Sequence, residues 1–174
     1  VAAVTNDGRD LKYAADKFKD DREIVLVAVI NNGRALQYAA DKFMDDKEII
    51  ISAVTNYGSA LECASDKLKD DRDVILAAVK KDGSALECAS DKLKNNREIV
   101  LEAIKNKPRS IEFASDELNG DPEMVLTALS QDSVALRCVR SEKILKELAE
   151  NSSIDVTNIN FKVSDLVYAV EKHF

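Results

Sequence analysis

The chain has 174 residues, with no tryptophan, one histidine, three cysteines, two prolines and five glycines. So few glycines and prolines leave too few turn formers for a loop-rich β-sandwich. One histidine and three cysteines leave little from which to build a zinc domain. There is no run of about 18 apolar residues, the length a helix needs to cross a bilayer. There is no basic block either. A net charge of −7 disfavours nucleic acid and anionic membrane as partners. Neither a nucleic-acid partner nor direct membrane insertion is therefore expected. What remains is an ordinary globular balance, 45 % hydrophobic and 33 % charged.

Self-comparison exposes a period of 25 residues. An acidic pair recurs as Asp20-Asp21, Asp45-Asp46 and Asp70-Asp71, and then as Asn95-Asn96 and Gly120-Asp121. A turn residue follows at Gly8, Gly33, Gly58, Gly83, Pro108 and Ser133. Alanine recurs at Ala3, Ala28, Ala53, Ala78, Ala103 and Ala128, and leucine or isoleucine from Leu11 to Leu136. The register holds without insertion to about Ser141.

Each unit reads as two short helices. The first spans about Asp21 to Asn31, with Asp21 as N-cap and Glu23 near the positive end of the helix dipole. Its broad apolar surface marks it as the more buried of the two. Gly33 stands where a left-handed C-cap is expected. The second helix spans about Arg34 to Phe43, with apolar residues at helical spacing. Small pairs such as Ala39-Ala40 and Ala64-Ser65 are expected to let helix axes approach closely. Helices of about ten residues are marginal alone and need stacked neighbours. The expected fold class is all-α, an α-solenoid of stacked two-helix repeats over 1–141 with an atypical C-terminal helical cap over 142–174. Val1 falls at the register of Leu26, inside a helix. The chain is therefore expected to belong to a longer chain or larger assembly, with any targeting segment outside it.

The units DDREIVLVAVINNGRALQYAADKF and DDRDVILAAVKKDGSALECASDKL resemble the tandem repeats of domain of unknown function forty-one sixteen. The resemblance covers about 1–141. It implies a repeat scaffold, and it brings no enzymatic activity and no catalytic residues to carry over. The pattern weakens at Pro108 and Ser110, and again at Ser133, Val139 and Arg140.

No constellation in the sequence calls for catalysis, a cofactor or a metal. The acidic pairs drift to Asn95-Asn96 and Gly120-Asp121, which keeps capping capacity and loses charge. That drift suits helix caps better than a calcium or magnesium site. Cys63, Cys88 and Cys138 share one register position with Tyr13, Tyr38 and Phe113, which reads as a core thiol. Repeats about 10 Å apart would hold neighbouring cysteines too far apart for a disulfide. Free thiols fit a reducing compartment, cytoplasmic or the interior of an organelle. His173 has no nucleophile near it in sequence, and Asn151-Ser152-Ser153 is an isolated glycosylation sequon. Lysine and arginine columns (Lys17, Lys42, Lys67, Lys92; Arg22, Lys47, Arg72, Arg97) run beside aspartates and are expected to form a solvated, salt-bridged face.

The outer stripe of the first helices is the most distinctive surface. It reads Glu23, Val27, Ile30, then Glu48, Ser52, Thr55, and becomes more charged toward the C-terminus. Tyr57 lies nearby, in a turn that holds Asn32, Asp82 or Lys107 in other units. Val27, Ile30, Ser52, Thr55 and Tyr57 are the candidate residues for binding a protein partner. Val27 and Ile30 would equally suit packing against another part of the chain. The expected function is a non-enzymatic repeat scaffold for protein–protein interaction. A structural subunit or spacer of an assembly, and an accessory region of a multidomain enzyme or secreted effector, are the other readings.

Overall fold

The computed structural model describes residues 5–141 and 143–145. Five ten-residue helices set the frame: α1 (Arg22–Asn31), α2 (Lys47–Asn56), α3 (Arg72–Lys81), α4 (Arg97–Asn106) and α5 (Pro122–Gln131). Successive long helices pack on one another, and the segments between them pack on one another in a second row. Among the described residues there is no strand, and the architecture is an all-α repeat solenoid. The cap expected over 142–174 falls outside the described residues apart from 143–145, as do His173 and the Asn151 sequon.

The long helices form where the sequence places them because their first turns are capped. Asp21 Oδ1 accepts from the amides of Glu23 and Ile24 at 3.0 and 3.2 Å, and Asp46, Asp71 and Asp121 do the same in their repeats. Asn96 keeps the cap through the Ile99 amide. Pro122 takes the first helical position of α5, where a missing N–H costs nothing. Ile24, Val25, Ala28 and Val29 of α1 are buried, as are their counterparts in every repeat, so each long helix is wedged between neighbours.

The second helix of each unit departs from expectation. A single helix over Arg34–Phe43 does not form. A 3₁₀ helix (Gly33–Tyr38) is followed by two extended residues, Ala39 and Ala40, and then by a short helix (Asp41–Asp45). The same division recurs at Gly58–Cys63 with Asp66–Lys69, and at Gly83–Cys88 with Asp91–Lys94. The break is a tertiary effect. The amides of Ala40, Ser65, Ser90 and Ser115 donate to Lys19, Met44, Lys69 and Lys94 of the preceding repeat at 2.8–3.0 Å. A continuous α-helix would turn those donors inward. The second residue of each small pair therefore serves as a splice between repeats rather than as a close-packing surface. Where it is serine, its hydroxyl also caps the short helix.

Gly33 is not a left-handed C-cap, because no described residue has positive φ. The chain leaves α1 through an extended Asn32, φ −152°, and Gly33 begins the 3₁₀ helix. Its missing side chain serves contact between repeats instead. A Cβ on Gly33 would lie 2.3 Å from the carbonyl oxygen of Ala53, and one on Gly83 would lie 2.4 Å from that of Ala103. The recurring glycine and the recurring alanine are thus two halves of one close approach.

Candidate interaction surface

The N-terminal edge of the long helices is a continuous charge ladder. Arg22 reaches from α1 to Asp46 at 2.7 Å and to Glu48 at 2.6 Å in the next repeat. Lys47 spans Asp71 and Asp73 at 2.8 and 3.0 Å, and Arg97 spans Asp121 and Glu123. In the fourth repeat the cap is Asn96, and Arg72 holds Glu98 alone, at 2.5 Å. The Arg22 guanidinium holds the Asp46 carboxyl below the ordinary carboxylate range, and Arg97 does so for Asp121.

The two acids of each pair divide their work. The second caps its helix. The first faces the next repeat, where Asp45 accepts from the Ser65 hydroxyl at 2.7 Å and pairs with Lys67 at 3.1 Å. Lys42 meets Asp20 in the same way at 2.8 Å. Of the basic columns, Lys42, Lys67, Lys92, Arg22, Lys47, Arg72 and Arg97 are therefore paired across repeats, and Lys17 lies over the Phe18 ring instead. Among the described residues no group of histidine, cysteine, aspartate or glutamate is arranged to hold a metal ion. Also among them, no helix is long and apolar enough to cross a membrane.

A second set of bonds ties the far ends of the long helices together. The Asn56 side chain accepts from the Gly33 amide at 2.9 Å and donates to the Ile30 carbonyl at 3.3 Å. Asn106 repeats this with Gly83 and Lys80. The C-terminal ends of α1 and α2 are thereby tied to each other, as are those of α3 and α4, and the outer stripe of α1 and α2 is held on a rigid support. Along that stripe Val27 is half-buried and Ile30 is 57 % exposed. Thr55, Lys80, Lys105 and Ser130 take the place of Ile30 in the other helices, so the apolar exposure is confined to α1. Ser52 is half-buried, and the exposed Thr55 returns its hydroxyl to the Ile51 carbonyl at 2.7 Å. Thr55 also lines a groove of about 490 Å³ with Asp73, Leu76, Ala77 and Lys80.

Tyr57 belongs to a different surface. It lines a cleft of about 380 Å³ in the 3₁₀ row, with Arg34, Gln37, Ser59, Glu62 and Cys63 among its walls. The Arg34 guanidinium lies over the Tyr57 ring, 4.6 Å from its centroid. Of the five candidate residues, the four on α1 and α2 thus share the long-helix face and the fifth looks into the cleft. Arg34 lies outside the five candidate residues, since in the sequence it stands only at the start of the second helix of its unit. The signal available was its column, which also holds Arg9 and Arg109.

Cys63, Cys88 and Cys138 are free and half-buried. Burial pushes all three thiols up from their ordinary value, which keeps them protonated and weakly nucleophilic at neutral pH. Among the described residues, two polar ones are enclosed, Ser110 and Asn119. Asn119 is satisfied through the carbonyls of Ile111 and Cys138 and the amide of Arg140. The Ser110 hydroxyl is 1 % exposed as a residue and has no hydrogen-bond partner.

No curated protein and no solved structure matches the chain. A family model described as Domain of unknown function (DUF4116) matches residues 2–44, 46–94, 71–119 and 96–145. The overlapping matches repeat at the spacing of the structural unit and together span most of the chain. The chain is a tandem array belonging to that family.

Proposed function

We propose that the chain is a non-enzymatic repeat scaffold that holds a protein partner on the outer face of its long helices, centred on Val27 and Ile30. The supporting observation is the exposure of Ile30 beside Val27 on a helix tied down at both ends. An apolar side chain on a rigid support loses little conformational entropy when a partner covers it. Ser52 and Thr55 would form the polar margin of that contact. Among the described residues, the half-buried thiols and the paired charges present no activated nucleophile or acid–base couple, which is in keeping with this reading.

The test is capture from source-cell lysate with residues 1–174 and with the Val27→Asp/Ile30→Asp variant. Circular dichroism first establishes equal helicity. A partner held in stoichiometric amount by the wild type and lost from the variant is the expected result. Identical retention by both proteins would overturn the assignment of the face. A spacer within a larger assembly would co-purify in fixed ratio with its complex and be indifferent to the variant.

A further inference from the structure

The 3₁₀ row carries an unbalanced arginine. Three arginines share one register position: Arg9, Arg34 and Arg109. Arg9 pairs with Asp7 at 2.8 Å. Arg109 reaches forward to the next repeat and pairs with Asp132 at 3.3 Å. Asp132 is the residue that caps its 3₁₀ helix, and Asp7, Asn32 and Asp82 cap theirs in the same manner. The residue at this register in front of Arg34 is Tyr57, which makes no side-chain cap bond. Where Arg109 finds a carboxylate, Arg34 finds the face of a ring. Among the described residues Arg34 is exposed and forms no ion pair.

Attraction to the ring holds the guanidinium in place, and among the described residues none of its N–H groups donates a hydrogen bond. Arg34 lines the cleft of about 380 Å³, where Ser59 and Gln37 add neutral hydrogen-bonding groups. A carboxylate matches the fork geometry of a guanidinium edge and supplies the charge missing from this place in the row. Glu62 also lines the cleft and opposes any anion there, a doubly charged phosphate more than a single carboxylate, which favours the carboxylate of the two. We propose that the Arg34–Tyr57 cleft is a carboxylate-recognition site that takes an aspartate or glutamate side chain of a protein partner. The proposal rests on the reading of the chain as a protein-binding scaffold, and adds a charged anchor on a face distinct from the Val27–Ile30 stripe.

The full chain, with its arginines labelled with nitrogen-15, is titrated with acetyl-aspartate N-methylamide. Acetyl-asparagine N-methylamide and inorganic phosphate are the comparison probes. The Nε–H resonance of Arg34 and the ring resonances of Tyr57 are expected to move saturably with the aspartate probe alone. Arg9 and Arg109, already paired, serve as internal controls and stay in place. Tyr57→Asp restores the acid found elsewhere in the row and should weaken the binding read at Arg34 by about tenfold, equivalent to about 1.4 kcal/mol. Arg34→Gln provides a second variant, in which the Tyr57 response disappears. Equal movement of all three arginines, an equal response to phosphate, or an undiminished response in Tyr57→Asp would overturn the proposal. Because the probe is independent of any partner, loss of capture by Val27→Asp/Ile30→Asp without a probe response would sink this site alone. A probe response without that loss would sink the stripe alone.

Discussion

Gly33 sits 2.3 Å, by its absent Cβ, from the oxygen of Ala53, and its φ is not positive. Two accounts of a recurring glycine therefore separate in experiment. Under a left-handed cap, Gly33→Asn would be milder than Gly33→Ala, since asparagine tolerates that conformation. Under a steric contact both are harmful. We expect each to destabilise the chain by about 2 kcal/mol, in the range of overpacking, with asparagine no better than alanine in urea denaturation. Ser110 gives the opposite sign. Alanine stands at its register in Ala35, Ala60, Ala85 and Ala135, and the Ser110 hydroxyl is buried without a partner. Ser110→Ala should stabilise by about 1 kcal/mol, the order of cost of an unsatisfied buried hydroxyl. The N-cap role of the second acid was legible in the sequence, because capping is a local matter of one side chain and two amides. The reason for the glycine was not, because the oxygen it approaches lies 20 positions away in the next repeat.

At the scale of the element, the long helix was legible in its boundaries and its buried face, and the second helix was not. Ala35, Leu36, Tyr38, Ala39 and Phe43 satisfy a helical pattern, and a 3₁₀ turn followed by a short helix satisfies the same pattern. What decides between them is the bond from Ser65, Ser90 or Ser115 to a carbonyl of the preceding repeat, which periodicity does not encode. Ser90 then carries two further roles: it caps the Leu93 amide, and its hydroxyl donates to Asp70 at 2.5 Å. Ser90→Ala should cost about 1 kcal/mol, typical of a lost cap, by thermal or urea denaturation. The backbone splice survives that change, so helicity at 222 nm should stay close to that of the wild type, with about the precision of such comparisons. Ile30 and Thr55 are exposed, as spacing on a capped helix predicts, whereas Val27 and Ser52 are half-buried. Tyr57 stands in the turn that the sequence indicates, and its side chain lines the cleft of the 3₁₀ row, a direction set by its own extended backbone rather than by helical spacing.

At the scale of the molecule, each long helix is joined to the next by charges at its N-terminal end, and asparagine bridges tie α1 to α2 and α3 to α4 at the other end. The charged joint makes stability depend on pH. The Asp46 and Asp121 carboxyls lie below their ordinary value when folded. Their contribution is therefore complete above the unfolded value of about 3.9 and is lost as pH falls through the lower folded value. Arg97→Gln removes the chief cause of the Asp121 shift. Its urea midpoint should fall below that of the wild type at pH 7, and the gap should narrow below about pH 4, where the unfolded carboxyls protonate. Regular joints of this kind hold the outer face of α1 and α2 as one surface, and that surface is where the account places a partner. A photo-crosslinking amino acid installed in turn at Ile30, Lys105 and Ser130 tests this most directly in source cells. The account predicts a discrete protein adduct from position 30 and none from the equivalent positions on α4 and α5. Adducts of equal yield from all three positions, or adducts from Lys105 and Ser130 but not from Ile30, would contradict it.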